Sequence, residues 1–83
     1  MTWTESAWTE SAGALSATLT FADFAEALAF MTRVGLVAQE HGHHPDMSIS
    51  WNTVKITITT HDAGNTVTDK DRKLSAAIDA MAP

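Results

Sequence analysis

Two short segments of alternating residues, separated by Asn52-Thr53, constrain the fold of this chain more than any other feature. Apolar and polar side chains alternate over residues 46–51 and again over residues 54–59. A period of two is typical of β-strands that bury one face. Because only two residues separate the segments, we predict a β-hairpin that turns at Asn52-Thr53.

The position of this turn fixes which residues of the two strands face each other. Pairing Trp51 with Val54 places the apolar side chains of both strands on one face, and a slip of one residue would bury Lys55. Continued outward, the same register places His44 opposite His61. Directly opposed Cβ atoms lie about 5 Å apart. We therefore predict that these two histidines meet on the polar face of the sheet, away from the helices.

Two more strands are predicted before the hairpin. Residues 14–21 alternate between apolar and polar side chains, which indicates a strand with one wet face. A shorter strand ends at Gly13, within the second of two successive Trp-Thr-Glu-Ser-Ala pentapeptides. We predict that residues 1–7 form a disordered or duplicated N-terminal extension and that residues 8–83 fold as a single domain.

The first of two predicted helices lies between the second strand and the hairpin. Thr20 and Asp23 resemble a capping box that opens it, and it runs to about Glu40, with Gly42 as a left-handed stop. Its core-facing stripe is predicted from apolar residues at helical spacing. These residues are Phe24, Leu28, Phe30, Met31, Val34, Gly35 and Val37.

The second helix closes the chain. Thr68 and Asp71, three residues apart, are predicted to cap its first turn. Its buried residues are predicted to be Val67, Leu74, Ile78 and Met81. The order β-β-α-β-β-α predicts an α+β fold, with a four-stranded antiparallel sheet and two helices on one face.

Composition excludes several classes of function. Five Lys and Arg against ten Asp and Glu give a net charge of −5, which argues against a nucleic-acid surface. The chain has no cysteine, so disulfides and thiolate metal sites are excluded. No apolar run approaches the roughly 20 residues of a membrane span, and the N-terminus does not resemble a signal peptide. We expect a cytoplasmic protein without nucleic-acid or membrane partners.

The histidines are the candidate functional residues. His43-His44-Pro45 and Thr60-His61-Asp62 hold three of the four, and imidazole both gives and takes protons near neutral pH. Since no Ser-His-Asp arrangement accompanies them, acid–base chemistry on a bound molecule is the expected function. An alternative is a first-row metal site built from His43, His44, His61 and also His41.

The spacing of these residues resembles that of the pterin-4a-carbinolamine dehydratases. In that family, His-His-Pro is followed after five or six residues by an aromatic residue, after nine more by a histidine, and then by an aspartate. Residues 14–82 share this pattern. The matching residues are Phe24, Phe30 to Val34, His43, His44, Pro45, Trp51, Thr60, His61, Asp62 and Asp71.

This resemblance implies an activity and a set of site residues. The reaction is loss of water from 4a-hydroxytetrahydropterin to give quinonoid dihydropterin, in tetrahydropterin recycling, with no metal or cofactor. His43, His44 and His61 are implied as the catalytic acid–base groups. The residues implied to bind substrate are Thr60, Asp62, Pro45 and, in a lesser role, Asp71. Since some members of the family dimerise a transcription factor, a non-catalytic binding or dimerisation module is an alternative.

The sequence departs from the family pattern at three places. Gln39 stands four residues before the histidine pair, where the family has a charged residue, and Met47 replaces Trp or Leu. The family's first helix is also missing. Because that helix would cover apolar surface, we predict a homo-oligomer, most simply a dimer. Its contact is predicted on the strand at 14–21 or on the outer helix residues Phe30 and Val37.

Overall fold

The computed structural model describes residues 8–81; the predicted extension, residues 1–7, lies outside the described residues. The elements follow the predicted order: β1 (Thr9–Ser11), β2 (Ala14–Thr20), α1 (Phe24–His41), β3 (Asp46–Ser50), β4 (Thr53–Ile58), a short 3-10 helix (His61–Ala63) and α2 (Asp69–Met81). The strands form one antiparallel sheet in the order β1-β2-β4-β3. The predicted α+β fold is therefore confirmed.

One face of the sheet and both helices enclose a single core. The period-two pattern of β2 and β4 turns every second side chain toward the helices. The buried apolar residues are Leu15, Ala17, Leu19, Phe21, Ala27, Phe30, Val34, Ala38, Val54, Ile56, Ile58, Leu74 and Ile78. Within residues 8–81, no helix is long and apolar enough to cross a membrane.

The first turn of α1 is capped by Asp23 alone, and Thr20 takes no part. The Asp23 carboxylate accepts a hydrogen bond from the backbone N–H of Glu26 at 2.8 Å, as an N-cap residue does. Thr20 is unavailable because it still belongs to β2, where it pairs with Thr53. The predicted stop is confirmed: Gly42 adopts a left-handed conformation with φ of 63°.

The face of α1 that packs on the sheet differs from the predicted stripe. Phe24 and Leu28 were predicted to be buried, but they are 45% and 44% exposed. The predicted burial of Phe30 and Val34 is confirmed, and the helix also buries Ala27 and Ala38, which the prediction left out. The small alanines let the helix backbone approach the sheet, and Phe24 and Leu28 are left on its outer side.

The burial of Phe30 corrects the predicted contact between copies of the chain. Phe30 is only 3% exposed, and its ring centroid lies 5.2 Å from that of Phe21. It cannot mediate an outer contact because the core already covers it. Val37 is half-buried and packs against the same core.

The hairpin turns one residue earlier than predicted. Ser50 pairs with Thr53 and Ile49 with Val54, so the turn consists of Trp51 and Asn52. Every pairing therefore differs by two positions from the predicted register. A shift of two keeps the same side chains on the apolar face, but the predicted opposition of His44 and His61 is wrong.

Contacts with the rest of the fold explain this register. β4 is a central strand, so Thr53 is paired on both sides and is not free to turn. Asn52 is held by two hydrogen bonds to the backbone of Phe21, at 2.8 and 2.9 Å. Trp51 accordingly adopts a φ of 51° and is 67% exposed. It is a turn residue, so the prediction that it pairs with Val54 on the apolar face of the hairpin is wrong.

The capping pair of α2 is confirmed. The Asp71 carboxylate accepts a hydrogen bond from the backbone N–H of Thr68 at 2.7 Å, which is the backward-reaching half of a capping box. Leu74 and Ile78 are buried, and Val67 and Met81 pack against the core from its edge.

Truncating a fully buried strand residue tests this packing. We expect Ile56→Ala to lower the free energy of unfolding by about 2–5 kcal/mol, because it leaves a cavity between β4 and the helices. Leu28→Ala is the matched control and should cost about 1 kcal/mol or less, because its side chain is half in solvent. Urea denaturation at low protein concentration measures both. Equal losses would contradict the observed orientation of α1.

Candidate active site

A cavity of about 270 Å³ opens at the end of the sheet. It lies where the loop after α1, the segment after β4 and the first turn of α2 come together. Its lining residues are Gly42, His43, His44, Thr59, Thr60, His61, Asp62 and Lys70. The structure thus brings His43, His44 and His61 to one cavity, whereas His41 does not line it. No group of three or more His, Asp or Glu within residues 8–81 is arranged to hold a metal ion.

The observed register explains why His43 reaches this position. The last regular pair of the hairpin is Asp46 with Thr57. Counting three positions further places His43 opposite Thr60, on the face that carries the core. Both side chains bind the carboxylate of Asp71 on α2. The site therefore lies against α2, and the prediction that it lies away from the helices is wrong.

Asp71 is the buried centre behind the cavity. Its side chain is 0% exposed, and each oxygen is paired. Oδ1 lies 2.7 Å from Nε2 of His43. Oδ2 accepts hydrogen bonds from the Thr60 hydroxyl and the Thr68 backbone N–H, both at 2.7 Å. Within the described chain, no buried side-chain nitrogen or oxygen lacks a hydrogen-bond partner.

These contacts keep Asp71 ionised. Burial on its own would raise the pKa of this carboxyl, but the hydrogen bonds from His43, Thr68 and Thr60, with the charge of His43, outweigh it and lower the pKa below the usual 3.8. Because a carboxylate only accepts hydrogen bonds, Nε2 of His43 must carry a hydrogen. In the neutral ring, Nδ1 is then the nitrogen that can take a proton.

The other two histidines lie at the exposed side of the cavity, and each is held by an amide. Nε2 of His44 lies 2.9 Å from Oε1 of Gln39. Nδ1 of His61 lies 2.7 Å from Oδ1 of Asn65. Each cavity histidine therefore has one ring nitrogen within hydrogen-bond distance of an oxygen, and its other ring nitrogen takes part in none of these three contacts. The sequence prediction noted Gln39 only as a departure from the family, and it missed Asn65.

The predicted substrate-binding residues occupy different positions. Thr60 and Asp62 line the cavity, Thr60 buried and Asp62 exposed. Pro45 is half-buried and does not line it, and Asp71 lies behind His43. Lys70 also lines the cavity, although the sequence prediction did not identify it. Its place immediately before Asp71 is the signal that could have identified it.

Comparison with known proteins points to one family. The family described as pterin 4 alpha carbinolamine dehydratase matches residues 2–81. A protein of Rhizorhabdus wittichii, provisionally named pterin-4-alpha-carbinolamine dehydratase, is 51% identical over 69 residues, which cover 83% of this chain and 70% of the relative. A relative in Nitrobacter hamburgensis with the same provisional name is 46% identical over 79 residues, covering 93% and 77% of the two chains.

Two solved structures share the fold. A transcriptional coactivator/pterin dehydratase from Brucella melitensis superposes with a TM-score of 0.83 and 32% identity, over 93% of this chain and 83% of that one. A pterin dehydratase-like protein, described as a RuBisCO assembly factor in the alpha-carboxysome, gives a TM-score of 0.71 over 92% and 87% of the two chains. At 21% identity, the second similarity concerns the fold alone.

The buried carboxylate predicts an acid-sensitive stability. Because the pKa of Asp71 is lowered in the folded state, its ionised form stabilises the fold at pH values above 3.8, and this contribution is lost as pH falls through the lowered pKa. We expect Asp71→Asn to be less stable than the wild type at neutral pH, with a difference that shrinks at acid pH. Urea unfolding across this range measures it. Thr60→Val keeps the carboxylate, so its free energy of unfolding should still fall with decreasing pH, although less steeply than that of the wild type. The same dependence on pH in the wild type and in Asp71→Asn would contradict this assignment.

Proposed function

The chain belongs to the pterin 4 alpha carbinolamine dehydratase family, and we propose that it dehydrates 4a-hydroxytetrahydropterin to quinonoid dihydropterin in tetrahydropterin recycling. The observation that carries this proposal is the convergence of three imidazoles on one cavity, one of them backed by a buried carboxylate. The cavity, at about 270 Å³, is close to the lower end of the range of ligand pockets, about 300–1,000 Å³. A small bicyclic molecule such as a pterin suits that size.

The proposed reaction needs one proton given and one proton taken. The bond between C4a and its hydroxyl oxygen breaks, and the leaving oxygen takes a proton to depart as water. A ring N–H loses a proton, and its electron pair forms the new C=N bond of the quinonoid product. Two positioned acid–base groups are sufficient for this exchange.

The contacts of the histidines suggest how they divide this work. His43 is the base in the proposed mechanism: Asp71 orients its ring and would stabilise the imidazolium that forms when Nδ1 takes a proton, as the aspartate does in a Ser-His-Asp triad. His44 and His61 are exposed and can exchange protons with water. In imidazolium form, one of the two protonates the leaving hydroxyl, and the other exchanges protons between the cavity and water.

Replacing each histidine tests the catalytic assignment. We expect His43→Ala, His44→Ala and His61→Ala each to lower kcat/KM with 4a-hydroxytetrahydropterin by about 10²-fold or more, because each removes an acid–base group. His41→Ala is the matched control: His41 lies in the last turn of α1 and does not line the cavity, so the rate of this variant should stay near the wild-type value. Near-wild-type rates in all four variants would reject the assignment.

A non-catalytic binding or dimerisation module is the second candidate, and exposed apolar side chains favour a protein contact. Phe24, Leu28 and Leu36 are exposed on α1 at spacings of four and eight residues, so they lie along one side of the helix. We propose that this side of α1 joins copies of the chain in a homo-oligomer, with a dimer as the simplest form. Tight pterin binding by a protein that shows no turnover would favour the module over the enzyme.

A charge placed on this helix face tests the oligomer. We expect Leu36→Asp to shift the chain toward monomer in analytical ultracentrifugation, because burying the carboxylate in a contact between copies is unfavourable. Ala76→Asp, at an exposed position of α2, is the matched control and should leave the sedimentation profile unchanged. A wild-type chain that sediments as a monomer at all concentrations tested would reject the proposal.

A further inference from the structure

The loop that carries His61 closes on itself through backbone hydrogen bonds. The carbonyl of Thr60 accepts from the N–H groups of Ala63 and Asn65 at 3.2 and 3.1 Å, and the Thr60 N–H donates to the Thr66 carbonyl at 3.1 Å. This closure sets the position of Asn65 relative to His61. The Oδ1 of Asn65 then lies 2.7 Å from Nδ1 of the histidine.

The turn between β1 and β2 packs against this loop and holds Asn65 from the other side. Asn65 has a φ of 58°, in the left-handed region that asparagine tolerates better than most residues. A Cβ on Gly13 would overlap the carbonyl oxygen of Asn65, so only glycine allows so close an approach. The Gly13 carbonyl also accepts the Thr59 hydroxyl at 2.7 Å. Two parts of the fold therefore determine where the Asn65 side chain lies.

We propose that Asn65 is a positioning residue for His61, which fixes its tautomer and its ring orientation. A neutral imidazole has one N–H donor and one acceptor nitrogen. When Asn65 accepts from Nδ1–H, Nε2 is left unprotonated as the nitrogen available to a bound molecule. Without a partner, an exposed imidazole would rotate and populate both tautomers. The catalytic consequence rests on the proposed dehydratase function, whereas the tautomer itself does not.

The tautomer can be observed directly, without an activity assay. Long-range ¹H–¹⁵N correlation spectra of the full chain should show His61 protonated at Nδ1 at a pH where the ring is neutral. Asn65→Gly keeps a residue that tolerates positive φ and removes the acceptor, so His61 should become a mixture of tautomers. Asn65→Asp keeps an acceptor in the same place and should preserve the Nδ1–H form. Thr66→Ala removes a hydrogen bond within the same loop and should leave His61 unchanged.

Kinetics of the same variants separate positioning from simple loss of structure. We expect Asn65→Gly to lower kcat by about 10-fold to 10²-fold with a smaller change in KM, because a misplaced acid–base group affects mainly the chemical step. Asn65→Asp should restore most of kcat. Thr66→Ala should react at the wild-type rate.

The outcomes of the two measurements are distinguishable. A His61 that is protonated at Nε2 in the wild type, or a tautomer that Asn65→Gly leaves unchanged, would overturn the proposal whatever the activity. A tautomer that depends on Asn65 as expected would support the positioning role, even in a chain whose His61→Ala variant keeps full activity. Full activity of the His61→Ala variant would reject the dehydratase mechanism, but it would not reject the role of Asn65.

Discussion

The buried carboxylate of Asp71 joins the start of α2 to two earlier segments of the chain. It caps α2 through Thr68, holds Thr60 at the end of β4, and binds His43 in the loop after α1. A buried ion that loses its partners is strongly destabilising. Docking of α2 on the sheet and assembly of the site are therefore one event, since the carboxylate is satisfied only when all three segments are in place.

The fold could be predicted because its signals are local and agree with one another. Alternation predicted a strand at 14–21, which is observed at Ala14–Thr20, and the two strands of the hairpin. The Thr68–Asp71 pair identified the start of α2. The buried face of α1 could not be read in the same way. Ala27 and Ala38 carry little apolar surface, but they face the sheet because the helix packs closest where side chains are small. The larger Phe24 and Leu28 dominate the sequence pattern and lie outside.

The candidate site could be predicted in composition but not in position. Three histidines in two short motifs were sufficient to indicate that they would meet. The location depended on the register of the hairpin. Alternation cannot distinguish two registers that differ by two residues, because both keep the same side chains on the apolar face. The contacts of His44 and His61 with Gln39 and Asn65 had no such signal. Each joins a residue of a helical segment to a residue of a loop, so it follows from the backbone conformation of the loop and not from periodicity.

The position of the hairpin turn has a consequence for how this fold tolerates redesign. Asn-Gly is the preferred sequence for a two-residue hairpin turn, so a designer who writes it at residues 52–53 would favour the register that alternation alone also allows. The hydrophobic core would accept this change. The site would not, because Pro45 would then stand opposite Thr60 in place of His43. Proline offers no side-chain donor, and a buried carboxylate would lose one of its partners. The polar cluster therefore acts together with the contacts of Asn52 and Thr53 to select the register between two arrangements that the apolar residues cannot distinguish.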